Sequence, residues 1–127
     1  MRRTLALALA LAGLCAQPAA AVDGQRLYQE ACAACHRPNG AGIPGAFPTL
    51  AKSKFVQGDP KEPIGRVLHG RGGMPSFQND LTDADIAAVL TYVRAAWGNA
   101  GKPVTPAQVK VLRGLKRETP KAGILAH

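Results

Sequence analysis

Cys32-Ala33-Ala34-Cys35-His36 constrains this chain more than any other feature of its sequence. Two thiols three residues apart, followed at once by an imidazole, form the Cys-x-x-Cys-His pattern of covalent haem attachment. At the end of a helix, this spacing lets both sulfurs add to the vinyl groups on one porphyrin edge and sets His36 beneath the iron. A small chain with this pattern has to build its core around a flat apolar disc. Other readings of the same residues fit less well. A disulfide redox site expects flanking strands and an aromatic-rich approach. A tetrahedral zinc site needs further ligands, which the chain beyond its leader supplies only as His69 and His127. A chance match leaves the export signal unexplained.

That signal stands at the N-terminus, where Arg2 and Arg3 precede an apolar run over residues 5–16 and Ala19, Ala20 and Ala21 follow. Residues 1–21 read as a secretory signal peptide cleaved after Ala21, which sends the protein to the periplasm. The run is shorter than the roughly 20 residues a membrane span needs. The arginine pair reads as an ordinary positive start rather than a twin-arginine signal. Leu14 is too large to precede a lipidation site at Cys15, which is expected to leave with the leader. The remainder, residues 22–127, keeps two cysteines and is long enough for one small domain with a modest core that a cofactor helps to fill.

Charge is spread unevenly over that remainder. Residues 22–97 carry eight basic and seven acidic side chains, whereas residues 98–127 carry six basic and one acidic. The basic charges of the tail are spaced, and no aromatic residue interleaves with them, which argues against a nucleic-acid surface.

Periodicity predicts helices and no strands. Leu27, Tyr28, Ala31, Cys32 and Cys35 share one face of a short N-terminal helix. Prolines and glycines then forbid regular structure from Arg37 to Lys54, a long loop of the kind that wraps something. Asp59, Pro60 and Glu62 start a second helix bearing Ile64, Val67 and Leu68, which ends at Gly70. Thr82 with Asp85 caps the strongest helix, whose stripe of Ile86, Val89, Leu90, Val93 and Trp97 runs to about Ala96 before Gly98-Asn99 stops it. Thr105 with Gln108, and a staple from Val104 to Val109, predict a final basic amphipathic helix to about Arg117.

The iron needs a sixth ligand, and Met74, His69 and His127 are the candidates. Met74 is preferred, because it lies in the glycine-rich run Gly70-Arg71-Gly72-Gly73, which can lay backbone against a haem face, and Pro75 stiffens it. A histidine in its place would lower the reduction potential, since a thioether favours ferrous iron more than a second imidazole does.

The haem motif near the start, the Met74-Pro75 loop, and the helix ending Val93-Arg94-Ala95-Ala96-Trp97-Gly98-Asn99 together resemble the class I cytochrome c family over residues 24–99. The resemblance implies an all-α cytochrome c fold of short helices around one covalently bound haem c. Its first and last helices would cross, with Gly24 and Tyr28 against Leu90 and Val93. It implies that the Pro48 carbonyl accepts the proton on the far nitrogen of His36, fixing the ring and raising its basicity, and that Leu50 and Phe77 are walls of the crevice. The division that follows is signal peptide 1–21, haem domain 22–99 and basic helical extension 100–127. The extension departs from the minimal pattern and is similar to the ends of cytochrome domains of alcohol and sugar-acid dehydrogenases.

Iron held by His36 and Met74 has no open position, so bond-making chemistry is disfavoured, no enzymatic activity is expected, and outer-sphere electron transfer remains. Lys110, Arg113, Lys116 and Arg117 can share one side of the last helix and steer acidic docking surfaces of redox partners. The same face could simply be solvated, or could touch anionic lipid peripherally. Two other functions stay open: a subunit docked in a dehydrogenase or oxidase complex, and a ligand-binding haem enzyme or sensor if Met74 is not bound.

Overall fold

The structure is a computed structural model that describes residues 20–115. The leader up to residue 19, Cys15, Lys116, Arg117 and His127 therefore lie outside the described residues. Within them the chain is all-α. The elements are α1 (Gly24–Ala31), α2 (Ala33–His36), α3 (Lys54–Gln57), α4 (Lys61–His69), α5 (Asp83–Ala95) and α6 (Pro106–Gly114). Among the described residues there is no strand, only isolated bridges at Ile43–Phe47 and Arg71–Met74. No described helix is long and apolar enough to cross a membrane.

The helix starts form where their caps dictate. The Thr82 hydroxyl accepts from Asp85 N at 3.1 Å, and Asp85 Oδ2 accepts from Thr82 N at 2.9 Å. Thr105 and Gln108 make the same reciprocal pair at α6. At α4, Asp59 Oδ1 accepts from Lys61 N at 3.0 Å, which satisfies a free first-turn donor. The short α3 was not foreseen within the loop and its surroundings. Its cap is Ser53, whose hydroxyl accepts from Val56 N.

α1 crosses α5 so closely that a Cβ on Gly24 would lie 2.1 Å from Ala88 O. Gly24 thus meets Ala88 and Tyr92, not the expected Leu90 and Val93. The reason is helical phase: Ala88 and Tyr92 lie one turn apart on the face toward α1, while Leu90 and Val93 turn inward. Tyr28, fully buried, packs against Trp97 at 4.9 Å and Tyr92 at 5.7 Å between ring centroids. Tyr28, Ile64, Leu68, Ile86 and Val109 are the largest fully buried side chains. Each contributes about 1.5–3 kcal/mol relative to exposure.

α6 packs on this core rather than standing apart. Val104 and Val109, at the two ends of the expected staple, are both buried in the same cluster as Tyr28 and Ile86. The described part of the extension, residues 100–115, therefore shares the core of residues 22–99. This changes the reading of the basic face. Arg113 does not point at solvent: Nε donates to Asp83 Oδ1 at 2.7 Å, Nη2 to Leu81 O at 2.8 Å and Nη1 to Gln78 O. Pairing with Asp83 offsets much of the Arg113 charge at a distance, and among the described residues of the four only Lys110 is exposed.

Candidate functional site

α1 and α2 are almost one helix, broken at Cys32, whose backbone (φ −124°, ψ −35°) closes the first and opens the second. Tyr28 O accepts from Cys32 N at 2.9 Å, and Cys32 O accepts from His36 N at 3.0 Å, so the two cysteines and the histidine are set by consecutive helical turns. Cys32 and Cys35 are half-buried and His36 is buried. Burial, and then the neighbouring Cys35 thiol, push the Cys32 thiol up to about 11. A disulfide redox site needs the opposite, a thiolate stabilised well below the usual range. No three His, Cys, Asp or Glu residues converge as a zinc site would require, among the described residues.

His36 Nδ1 donates to Pro48 O at 2.9 Å. Because a carbonyl can only accept, Nδ1 carries a proton, and in the neutral ring this leaves the lone pair on Nε2. The loop from Arg37 is folded back to supply that carbonyl. Gly42 N donates to His36 O at 2.9 Å and Leu50 N to Gly40 O at 2.7 Å. Asn99 then ties the loop to the end of α5. Its Nδ2 donates to Leu50 O and Val93 O, both at 2.8 Å, and its Oδ1 accepts from Ser53 N. The sequence marks Asn99 only as a helix stop.

Between these elements lies a crevice of two adjoining lobes, about 190 and about 210 Å³, that share Cys32, His36, Pro48, Arg66, Met74 and Phe77. Leu50, Val67, Leu81, Leu90 and Val93 help wall the inner lobe; Cys35 and Arg71 border the outer. All seven residues singled out from the sequence, Cys32, Cys35, His36, Pro48, Leu50, Met74 and Phe77, thus border one crevice, while His69, the last residue of α4, lines neither lobe. Arg66 is the residue sequence reasoning missed. Its guanidinium lies 4.9 Å from the centre of the Phe55 ring, and it is the one charged side chain common to both lobes. No acidic residue lines either lobe. Nothing in its position on α4 distinguishes Arg66 from a solvent-facing arginine until the fold is known.

The walls are apolar, and the donor set is two thiols, an imidazole nitrogen and a thioether, with a cation at the side. This suits a flat apolar ring with an iron at its centre and carboxylates on its edge. The family model for subunit III of cbb3-type cytochrome c oxidase matches residues 19–93. Cytochrome c-552 of Thermus thermophilus is 39% identical over 142 residues, covering 95% of this chain and 92% of the relative. The chain belongs to the cytochrome c family. The cytochrome c subunit of a quinone-dependent alcohol dehydrogenase from Gluconacetobacter polyoxogenes is 34% identical, across 74% of this chain but only 23% of that longer subunit. The solved KustC0563 c-type cytochrome aligns with a TM-score of 0.53 at 23% identity, over 62% of this chain and all of that one, and shares the fold. This cytochrome accordingly has the all-α cytochrome c fold, carries one covalently bound haem c, and serves electron transfer.

Proposed function

We propose that this cytochrome is a periplasmic carrier of single electrons, with haem attached through Cys32 and Cys35 and iron ligated by His36 and Met74. The observation that carries the reading is that His36 and Met74 line the same two lobes, while the alternative donor His69 lines neither. Bound haem supplies a one-electron ferric–ferrous couple. The residues around it decide how that couple is used. Pro48 O keeps the His36 proton on Nδ1, which holds the ring orientation and strengthens Nε2 as a donor. Met74, as a thioether, favours the ferrous state. Arg66, braced on Phe55, places a cation where propionate carboxylates can accept its N–H groups. Leu50, Phe77 and their neighbours exclude water, so the polar surroundings change little on electron gain. The leader, with its Arg2-Arg3 start and Ala19–Ala21 end, supports export.

Arg66 and Arg71 at the crevice, with no acidic residue lining it, support docking of partners through acidic surfaces there rather than on α6. A second reading, a subunit held within a dehydrogenase complex, is favoured by the likeness to a dehydrogenase cytochrome subunit. Purification of the native protein separates the two: a fixed-stoichiometry complex supports the second reading, a monomeric cytochrome the first.

Visible spectra of the oxidised and reduced protein test the ligation. The weak red ferric band of sulfur-ligated iron is expected in the native protein and in His69→Ala, and is expected to vanish in Met74→Ala. A high-spin native spectrum with ready carbon monoxide binding would transfer the function to ligand binding.

A further inference from the structure

The segment after Met74 is held from two sides, and one of them is α6. Toward α4, Phe77 N donates to Val67 O at 3.0 Å and the Ser76 hydroxyl donates to Leu68 O. Toward α6, the guanidinium of Arg113 spans Gln78 O, Leu81 O and the Asp83 carboxylate. Phe77 and Leu81 both wall the inner lobe. The Arg113 side chain is only 24% exposed, and its helix is seated by the fully buried Val109, so the guanidinium reaches the segment from a fixed base. Its bonds are charge-assisted and partly shielded from water, the conditions in which such bonds are strong.

We infer that Arg113 is a positioning residue for the distal ligand: from α6 it holds residues 78–83 closed, which keeps Met74 seated and keeps outside ligands off the iron. The inference rests on Met74 being that ligand. Local structure gives Met74 little support, since its turn contains only the bridge to Arg71. For the thioether to leave, the segment that follows has to swing outward, and this motion separates Gln78, Leu81 and Asp83 from Arg113. An outside ligand binds with its intrinsic affinity multiplied by the fraction of molecules that are open. The Arg113 contacts set that fraction.

The test is an imidazole titration of the full-length, haem-loaded ferric protein. Arg113→Gln is expected to bind imidazole about tenfold more tightly than the native protein, with a weakened red sulfur band. Arg113→Lys, which keeps the charge and loses the fork, is expected to behave like Arg113→Gln. Asp83→Asn leaves both carbonyl contacts in place and is expected to give a smaller gain. Unfolding by denaturant is followed on the same proteins, with Asn39→Ala as a destabilised control, because Asn39 lines neither lobe and its side chain accepts only from Ala41 N. Unchanged imidazole affinity in Arg113→Gln overturns the inference, as does an equal gain in the control at equal loss of stability. If Arg113→Gln does not accumulate, Asp83→Asn carries the comparison, and no gain there overturns it. A native protein without the red band would instead overturn Met74 ligation itself, and this is read before any variant.

Discussion

The two faces of the crevice are built in opposite ways. On the His36 side, the proposed ligand lies in a helix, next to Cys35 and four residues from Cys32, and its carbonyl partner comes from a loop bound back on itself by Gly42 N–His36 O and Leu50 N–Gly40 O. On the Met74 side, the residue lies in an irregular turn whose restraints come from α4 and α6. His36 is placed by consecutive helical turns, and its ring is fixed once the loop supplies Pro48 O. A ligand held by distant elements is only as firm as their packing, and that is where adjustment of the iron's accessibility can occur.

Gly70→Ala should break the weaker side outright. Gly70 lies at φ 65°, ψ −178°, a region open essentially to glycine alone, and a Cβ there would come 2.4 Å from Met74 O. A loss of more than about 3 kcal/mol is expected from strain plus clash, with disappearance of the red sulfur band. Gly42→Ala attacks the other side, since its Cβ would lie 2.6 Å from Pro48 O at φ 65°. A loss of about 2–3 kcal/mol is expected, with the sulfur band retained and a raised reduction potential, because a His36 with a weakened Pro48 bond donates less to ferric iron. Redox titration of the two variants measures the contrast, and the same spectral defect in both would abolish it.

Arg37→Gly should have the opposite sign. Arg37 follows His36 at φ 66°, ψ 155°, strained for any side chain, and is held there because its carbonyl accepts from Tyr28 Oη at 2.6 Å and from Gly40 N at 3.0 Å. Glycine relieves the strain, and a gain of about 1 kcal/mol in denaturant unfolding is expected. The smallest effect concerns charge. Neutralising Lys110 should change the low-salt rate of electron transfer with an acidic partner by less than about twofold, and neutralising Arg71 should change it more.

The sequence made the His36 side legible because its chemistry demands fixed spacing, and it made α5 and α6 legible because Thr82 and Thr105 carry their caps in adjacent residues. It concealed what depends on distance through space. α3 is four residues long, too short to show periodicity, and only Ser53 hints at it. Arg94 interrupts the apolar stripe of α5, yet it is 2% exposed, because its guanidinium serves the carbonyls of Val56, Gly58 and Lys102. Arg113 and Arg66 look like solvent charges when counted along a helix and turn inward only once their neighbours are in place. Positive charge is easy to count and hard to assign, because arginine satisfies itself on backbone carbonyls that no pattern announces.

The crossing of α1 on α5 also imposes an order in time. Threaded out N-terminus first, as the proposed export implies, the chain presents Gly24 and Tyr28 early and Ala88, Tyr92 and Trp97 late, so the first helix lacks its α5 companion until residues 88–97 have emerged. During that interval the two thiols are displayed on an open segment, accessible to whatever joins them to their cofactor, and arrival of the late aromatic residues ends the opportunity. Cofactor first and closure second is the sequence of events that this topology favours.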